Sequence, residues 1–140
     1  MLATGVDLSA EMLSKAAERG LYGTLERADL VAWARSCTDQ FDLVVLADVL
    51  VYLGALGPIL GAIRPRLAPN GLLAFTVERS ADGGPPHELR RTGRFAHSPT
   101  ALRELLESTG FIVRSWKEAP LRRERGVPVD GLYVVAQVGA

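Results

Sequence analysis

One apolar run, Phe41–Leu46, constrains the fold of this chain more than any other stretch. It reads Phe-Asp-Leu-Val-Val-Leu, and apart from its aspartate it is continuous rather than alternating. Such a run is typical of a strand buried on both faces of a parallel sheet. Apolar residues then recur at helical spacing from Leu56 to Leu67, and Leu72–Val77 is a second buried-strand pattern. The three segments together predict strand, helix and strand, the repeating unit of α/β domains.

The same alternation of strand and helix patterns precedes this run. A short apolar stretch around Val6 is followed by a helix for which Ser9 is a suitable N-cap and Gly20 a suitable end. A short strand is expected within residues 22–27, and residues 31–36 are expected to form a helical turn.

Beyond the run, Ser98 is expected to cap another helix. Two further strands, residues 111–116 and 132–138, should pair antiparallel because the segment between them is too short for a crossover helix. Three arginines are expected to be exposed near the tip of this hairpin: Arg122, Arg123 and Arg125. We therefore expect a doubly wound α/β fold in a single domain of residues 1–140.

Asp7 lies where the first predicted strand meets its helix, within Thr4–Leu13. Open parallel α/β sheets bind ligands at the carboxyl ends of their strands. A carboxylate in that place can accept hydrogen bonds from both hydroxyls of a ribose. Asp7 therefore predicts a nucleoside cofactor, with a helix cap or a solvated turn as the alternatives. The same aspartate would suit NAD, but the glycine fingerprint of NAD sites does not accompany it.

The segment Glu78–His97 is polar, rich in glycine and proline, and long for a loop. Loops of this length are often lids or binding loops. Arg90, Arg91 and Arg94 could hold an anionic substrate group there, although a solvated loop is the usual outcome for such charges. His97 has no obvious partner in the sequence, so we expect a structural histidine rather than a general base.

Composition excludes several classes of protein. Among 140 residues, 16 basic and 16 acidic side chains balance, so no general attraction to nucleic acid is implied. Cys37 is the only cysteine, which excludes an intramolecular disulfide and a cysteine zinc site and suits a reducing cytoplasm. No apolar stretch approaches the ~20 residues of a membrane helix. We expect a cytoplasmic protein with no nucleic-acid, membrane or metal partner.

Four stretches, in order, resemble the class I methyltransferases that use S-adenosylmethionine. They are Gly-Val-Asp-Leu-Ser-Ala-Glu-Met-Leu at 5–13, Ala-Asp-Leu at 28–30, Phe-Asp-Leu-Val-Val-Leu-Ala-Asp-Val-Leu-Val-Tyr-Leu at 41–53, and Leu-Ala-Pro-Asn-Gly-Leu-Leu-Ala-Phe at 67–75. Each motif is degenerate, but their order and spacing together are fairly specific. Residues 93–98 are similar to a small-molecule subgroup that is sometimes fused to tetratricopeptide repeats.

The resemblance implies a Rossmann-like sheet, mostly parallel with a C-terminal antiparallel strand pair. It also implies S-adenosylmethionine as cofactor and a small molecule as methyl acceptor. Carried over by position, Asp7 would bind the ribose hydroxyls. Leu8 and Met12 would pack on the adenine, although Met12 could also be a core residue of its helix.

Three further residues acquire expected roles from the same resemblance. Asp29 would accept a hydrogen bond from the adenine amino group, with the Leu30 backbone beside it. Ala47 would approach the methionine part through its backbone. From the sequence alone, Asp29 could as well be a surface aspartate. Methyl transfer depends mainly on holding the two reactants in line, so a general base is needed only for an acceptor that must lose a proton, and the sequence does not identify one.

The glycine-rich loop that opens the family's cofactor site is not found in this sequence. Met1 stands three residues before the second-strand motif, and Gly-X-Gly-X-Gly occurs nowhere. We therefore expect an N-terminally truncated fold without the first strand, which in the family lies between the second and the fourth. The sheet would close over the gap, leave an open slot, or receive a strand from another chain.

Two other functions stay open for such a chain. It could be a non-catalytic remnant of a methyltransferase that acts through protein association, as a homo-oligomer or with a partner chain at the missing-strand edge. An NAD-binding oxidoreductase is the third hypothesis.

Overall fold

The computed structural model of the chain describes residues 3–139. The chain divides into two compact units, Met1–Thr38 and Asp39–Ala140. Both combine strands and α-helices, and their order matches the expectation except for two additional short strands within residues 78–97. The predicted α/β class is confirmed.

The first unit contains two strands and two helices. In chain order they are β1 (Thr4–Asp7), α1 (Ala10–Glu18), β2 (Thr24–Arg27) and α2 (Leu30–Ser36). The two strands pair in parallel, with Asp7 opposite Arg27. Both strands therefore end at the same edge of this small sheet.

Local capping fixes both helices of this unit. The Ser9 side chain accepts a hydrogen bond from the Met12 backbone N–H, which confirms the predicted N-cap of α1. Gly20 follows that helix at φ +64°, a conformation that glycine adopts without strain. The core is small: among the described residues of this unit, Ala34 alone is buried.

The second unit holds the longer elements. They are β3 (Phe41–Leu46), α3 (Gly57–Ile63), β4 (Leu67–Arg79), β5 (His87–Leu89), β6 (Phe95–His97), α4 (Pro99–Ser108), β7 (Phe111–Glu124) and β8 (Val127–Val138). Single 3-10 turns at Leu50–Tyr52 and Arg64–Arg66 precede and follow α3. Ser98 caps α4 through a hydrogen bond from the Ala101 N–H, as predicted.

Strand β4 is the centre of a six-stranded mixed sheet. On one side it pairs in parallel with β3 and, near its carboxyl end, with β6. On the other side it pairs antiparallel with β8, which pairs in turn with β7. The predicted antiparallel strand pair is confirmed, and β3 is an edge strand of this sheet.

The core of the second unit lies on one face of the sheet. The helical spacing predicted between β3 and β4 is confirmed, because its apolar residues are almost fully buried: Leu56, Ile59, Leu60, Ile63 and Leu67. Leu73, Phe75 and Val77 face the same core from β4. Leu102 and Leu106 contribute to it from α4.

The expectation that β3 is buried on both faces is wrong. Leu43 and Val45 are 55% and 59% exposed, whereas Leu46 is 3% exposed. Since successive residues of a strand point to opposite faces, one face of β3 is buried and the other is solvent-accessible. The continuous run of apolar residues therefore overstates the burial of this strand.

Two segments are more ordered than the sequence indicated. The expected loop at 78–97 contains a hairpin, in which β5 pairs antiparallel with β6. The last hairpin extends to a two-residue turn, Arg125-Gly126, in which both residues have positive φ. Positive φ at both positions is typical of the tight turns that join twisted antiparallel strands. Arg122 consequently lies within β7 and not at an exposed tip.

Candidate functional site

The carboxyl edge of the β1–β2 sheet brings two predicted site residues, Asp7 and Asp29, to neighbouring strand ends. Asp7 is the last residue of β1, and Asp29 lies two residues beyond the end of β2. The Ala28 N–H donates to the Asp7 carbonyl at 3.1 Å, so the pairing of the strands continues to this edge. This is the edge at which parallel α/β sheets bind ligands.

The Asp7 carboxylate is half-buried and oriented by its own helix. The Ser9 N–H donates to its Oδ1 at 2.8 Å. Within residues 3–139, no other residue donates a hydrogen bond to its Oδ2. The side chain thus stabilises a local turn, which was one alternative to the ribose-binding role. Its second oxygen remains available to accept hydrogen bonds from hydroxyl groups.

Asp29 has a structural role in this unit. Its Oδ2 accepts the Ala32 N–H at 2.9 Å and caps the N-terminus of α2. Asp29 is exposed, and the adjacent Leu30 is half-buried. The cap holds one oxygen and leaves the carboxylate accessible at the sheet edge.

Two large apolar side chains near Asp7 are solvent-accessible. Leu8 is 61% exposed and Met12 is 52% exposed. The interpretation of Met12 as a core residue is therefore wrong, because the small unit provides no layer of side chains to cover α1. The Leu8 carbonyl accepts a hydrogen bond from Arg27 Nε at 2.9 Å, which fixes the backbone next to Asp7.

Ala47 belongs to the second unit, where it is exposed directly after β3. The next residue, Asp48, has φ +54°, an uncommon conformation for a residue other than glycine and one that asparagine and aspartate tolerate best. The Asp48 N–H donates to Thr76 Oγ1 at 3.2 Å, which ties the ends of β3 and β4 together.

A concave pocket of about 410 Å³ lies on the accessible face of this sheet. Its apolar walls come from Val45, Ala74 and Val135, while Lys117 and Tyr133 add polar groups. Ala47 and Thr76 also line it, so the pocket extends toward the carboxyl ends of β3 and β4.

A cluster of ion pairs that the sequence analysis did not anticipate lies beyond the end of this pocket. Its centre is Glu78, whose side chain is 3% exposed. Arg122 Nη2 donates to Glu78 Oε2 at 2.9 Å, and Arg122 Nε donates to Glu124 Oε1 at 3.1 Å. Arg94 also pairs with Glu124, and Arg90 lies 3.8 Å from the second oxygen of Glu78.

Hydrogen bonds within the cluster shift the pKa values of two of its members, Arg122 and Glu124, towards their charged forms. Partial burial lowers the pKa of Arg122, but its hydrogen bonds to Glu124 and Glu78 outweigh that effect and hold the pKa above its ordinary value. The hydrogen bond from Arg122 likewise holds the pKa of Glu124 below its ordinary value. The one signal in the sequence was a glutamate directly following a buried-strand pattern, a position where an unpaired charge would be costly.

His97 is buried, in agreement with the structural role expected for it. The residue is 4% exposed, and its Nε2 has no hydrogen-bond partner within residues 3–139. Burial lowers the pKa of His97 and nearby His87 acts electrostatically in the same direction, whereas hydrogen bonding to the Leu50 and Leu53 backbone opposes them. A neutral imidazole in a packed environment is not placed to accept a substrate proton.

Residues 3–139 contain neither a cluster of metal ligands nor a helix that could span a membrane. No group of three or more histidine, cysteine, aspartate or glutamate residues is arranged to hold a metal ion there. None of the helices in this range has the length and apolarity needed to cross a membrane.

A family model described as a methyltransferase domain matches residues 3–73. The chain belongs to this family. The matched segment includes β1, α1, β2 and β3, and therefore both aspartates of the sheet edge and Ala47.

A curated relative is the trans-aconitate 2-methyltransferase of Paracidovorax citrulli, strain AAC00-1. The two sequences are 34% identical over 74 residues, which is 53% of this chain and 28% of the relative. The match therefore spans well under half the length of that enzyme.

Solved structures share the fold at lower identity. The N-methyltransferase NodS of Bradyrhizobium japonicum WM9, in complex with S-adenosyl-L-homocysteine, is 22% identical with a TM-score of 0.76, over 99% of this chain and 67% of that one. The 1,6-didemethyltoxoflavin-N1-methyltransferase of Burkholderia thailandensis is 22% identical with a TM-score of 0.74, over 98% and 61%. At this level of identity the likeness concerns the fold.

Proposed function

We propose that this chain binds S-adenosylmethionine at the carboxyl edge of the β1–β2 sheet and takes part in methyl transfer to a small-molecule acceptor. The observation that carries the proposal is that carboxylates and exposed apolar side chains occur together at that edge, in a member of the methyltransferase family. One carboxylate oxygen of Asp7 and one of Asp29 accept no hydrogen bond from residues 3–139, and the exposed side chains of Leu8 and Met12 follow Asp7 closely in the chain.

These residues fit an adenosine group in their chemistry. Asp7 Oδ2 is an oriented acceptor for ribose hydroxyls, and the accessible oxygen of Asp29 suits the adenine amino group. Leu8 and Met12 together present apolar surface that water covers at present and that a purine ring would cover instead. The Leu30 backbone lies next to Asp29 and would complete the adenine contact.

Ala47, in the second unit, is proposed from the family resemblance alone as a backbone contact for the methionine part of S-adenosylmethionine. Its lack of a large side chain leaves the end of β3 accessible. The cofactor, when bound, supplies an electrophilic methyl group. The contribution of the chain is to hold and orient it, which is the larger part of the catalytic task in such a transfer.

A small-molecule acceptor is supported by two similar proteins, one a methyltransferase of trans-aconitate and the other a methyltransferase of 1,6-didemethyltoxoflavin. Nothing in the charge balance of 16 basic and 16 acidic residues favours a nucleic-acid acceptor. We further propose that residues 1–140 belong to one methyltransferase-like domain of a cytoplasmic protein.

Calorimetric titration with S-adenosylhomocysteine tests the proposal on the chain itself. The Asp7→Asn variant retains the oxygen that accepts the Ser9 N–H but loses the negative charge. Removing a charged hydrogen-bond partner costs about 1.5–3 kcal/mol, so the affinity should fall roughly ten- to hundred-fold. Asp42→Asn is the matched control, since Asp42 is an exposed aspartate of β3, and it should bind as the unmodified chain does. Absence of binding at millimolar ligand would refute cofactor binding by this chain.

A second function, association with another chain, is favoured by one observation. Strand β3 is an edge strand with two exposed apolar side chains, Leu43 and Val45. Edges of this kind tend to pair with strands of other molecules. Sedimentation equilibrium separates the two functions: a concentration-dependent dimer without S-adenosylhomocysteine binding supports association alone, and a monomer that binds the ligand supports the cofactor site.

A further inference from the structure

The sheet of the second unit has one accessible face that carries apolar side chains in rows. In-register pairing aligns Val45 on β3, Ala74 on β4 and Val135 on β8. Since alternate residues of a strand share a face, Leu43 belongs to the next row, which ends at Ile112 on β7. Leu43 and Val45 are 55% and 59% exposed, and Ile112 is 44% exposed.

A third row lies on the other side of Val45. It aligns Thr76 on β4 with Tyr133 on β8 and Lys117 on β7. Tyr133 is 39% exposed. We call the surface formed by these three rows, across β3, β4, β8 and β7, the open face.

The opposite face of the same sheet is covered by helices. Both α3 and α4 contribute buried residues to the core on that side. Sheets with parallel strands in α/β domains usually have helices on both faces, because an apolar face is stabilised only when another layer buries it. The exposure of Leu43, Val45 and Ile112 shows that residues 3–139 place no such layer over this part of the open face.

The size of the open face fits one helix. Neighbouring strands are about 4.8 Å apart, so four strands span roughly 15 Å, and three rows along the strands span roughly 13 Å. An α-helix with its side chains is about 10–12 Å across and rises about 1.5 Å per residue, so roughly nine to ten residues cross the face. A standard interface between two globular proteins takes about 800 Å² from each partner, several times the roughly 200 Å² of this projected surface. The dimensions therefore favour a helix over a second copy of this chain.

A small molecule would cover only part of the open face. The pocket of about 410 Å³ lies within it, and small residues such as Ala74 and Ala119 line that pocket. Leu43 and Ile112 lie outside the pocket, so a ligand that filled it would leave both in water. A helix can insert one apolar side chain into the pocket and cover both neighbours. The fold also occurs with further polypeptide, since about a third of NodS lies outside the match.

Lys117 gives the open face an unbalanced positive charge. It is the one charged residue among those that line the pocket, and it forms no ion pair within residues 3–139. The adjacent Glu118 points to the other face, in register with a buried leucine of β8. The carboxylates of Glu78 and Asp48, beyond the pocket, pair with Arg122. A partner that covers the open face should therefore carry a carboxylate near Lys117.

We propose that the open face binds an amphipathic helix of another polypeptide, about three turns long, with a carboxylate that pairs with Lys117. Apolar side chains of that helix cover Leu43, Val45 and Ile112, and one of them enters the pocket. This binding does not depend on the cofactor site, and it differs from strand pairing at the edge of β3.

The probe is a synthetic peptide of about 14 residues, held helical by a lactam bridge, with leucines at i, i+3, i+4 and i+7 and two glutamates beside that stripe. A second peptide has lysines in place of the glutamates. A third has the composition of the first, with its leucines distributed around the helix. Binding to the full chain is followed in 1H–15N spectra up to about millimolar peptide, because an interface of this size is weak.

The glutamate peptide should bind the unmodified chain and shift the amides of Val45, Ala74 and Val135. The lysine peptide should bind about two- to five-fold more weakly, the difference expected for an exposed ion pair. Lys117→Glu should reverse the order of the two peptides.

Val45→Asp should weaken binding of the glutamate peptide roughly ten-fold or more, because the helix would bury an unpaired carboxylate. Val127→Asp is the matched control, since Val127 is a valine of β8 that is 64% exposed and lies outside the open face. It should bind as the unmodified chain does. If Val45→Asp does not fold, the charge reversal at Lys117 decides.

Four results would overturn the proposal. The first is no binding of the glutamate peptide by the folded chain, and the second is equal binding of the peptide with distributed leucines. The third is an unchanged order of the glutamate and lysine peptides in Lys117→Glu. The fourth is a concentration-dependent dimer in sedimentation equilibrium that Val45→Asp abolishes, which would assign the open face to a second copy of this chain.

Discussion

The buried pair between Glu78 and Arg122 should dominate the response of the second unit to mutation. In Arg122→Gln, the Glu78 side chain, 3% exposed, loses its hydrogen bond of 2.9 Å. Breaking a fully buried pair costs about 3–5 kcal/mol. Arg122 is 26% exposed and Arg90 remains 3.8 Å from Glu78, so we expect a smaller loss in unfolding free energy, about 2–4 kcal/mol.

The reverse change should cost less. Glu78→Gln leaves Arg122 partly hydrated and still bound to Glu124, so about 1–2 kcal/mol is expected. The double variant should be less destabilised than the sum of the two, with a coupling free energy of about 1–2.5 kcal/mol. Arg123→Gln, an exposed change on the same strand, should stay within about 0.5 kcal/mol of the unmodified chain.

Urea unfolding followed by tryptophan fluorescence measures these values. Trp33 lies in the first unit and Trp116 in the second, so a Trp33→Phe background makes Trp116 the reporter of the second unit. The Arg103 guanidinium stacks over the Trp116 ring at 4.2 Å, which should make its emission sensitive to unfolding. Strictly additive losses, or an Arg122→Gln loss below about 0.5 kcal/mol, would refute the reasoning.

Two other changes have defined outcomes. Burial holds the pKa of His97 below the 6.5 of an unfolded chain, so its contribution to the free energy of unfolding should be fully present above pH 6.5 and be lost as the pH falls through the folded pKa. His97→Gln should lack this part of the decline when urea unfolding is measured from pH 8 to pH 5. A pH profile identical to that of the unmodified chain would contradict the expectation. A Cβ on Gly131 would lie 2.3 Å from Leu121 Cγ, so Gly131→Ala should destabilise by about 1–3 kcal/mol. Gly61→Ala, in α3 with nothing within 4 Å, should instead stabilise by about 0.5–1 kcal/mol in thermal unfolding; the opposite order of these two variants would contradict the packing described.

Much of the fold could be predicted because local signals agree with one another. Ser9 and Ser98 are N-caps in the structure, and the helical apolar spacing from Leu56 to Leu67 is buried. The length and composition of the segment between the last two strands were enough to predict their antiparallel pairing. Each of these features depends on residues close together in sequence.

The predictions that were wrong concern contacts between elements that are distant in the sequence. The Phe41–Leu46 run gave no sign that Leu43 and Val45 would be exposed, because burial depends on what packs on each face of the sheet. Arg122 was assigned to an exposed tip, since an ion pair across 44 residues of sequence has no local signal. The same holds for the hairpin within residues 78–97, in which β6 pairs with the distant strand β4 and β5 pairs with β6.

The predicted cofactor residues have a different status. The structure places Asp7 and Asp29 at one sheet edge and gives each a hydrogen bond within its own turn or cap. Leu8 and Met12 are exposed beside them. This arrangement supports the proposed site, and a bound ligand is what tests it.

The most direct test is the location of bound ligand by NMR. Intermolecular NOEs are measured between the adenine H2 and H8 protons of S-adenosylhomocysteine and the methyl groups of the chain. We expect NOEs to the methyl groups of Leu8 and Met12, and their loss in Asp7→Asn. Ligand that gives NOEs only to methyl groups elsewhere, or no bound ligand at millimolar concentration, would contradict it.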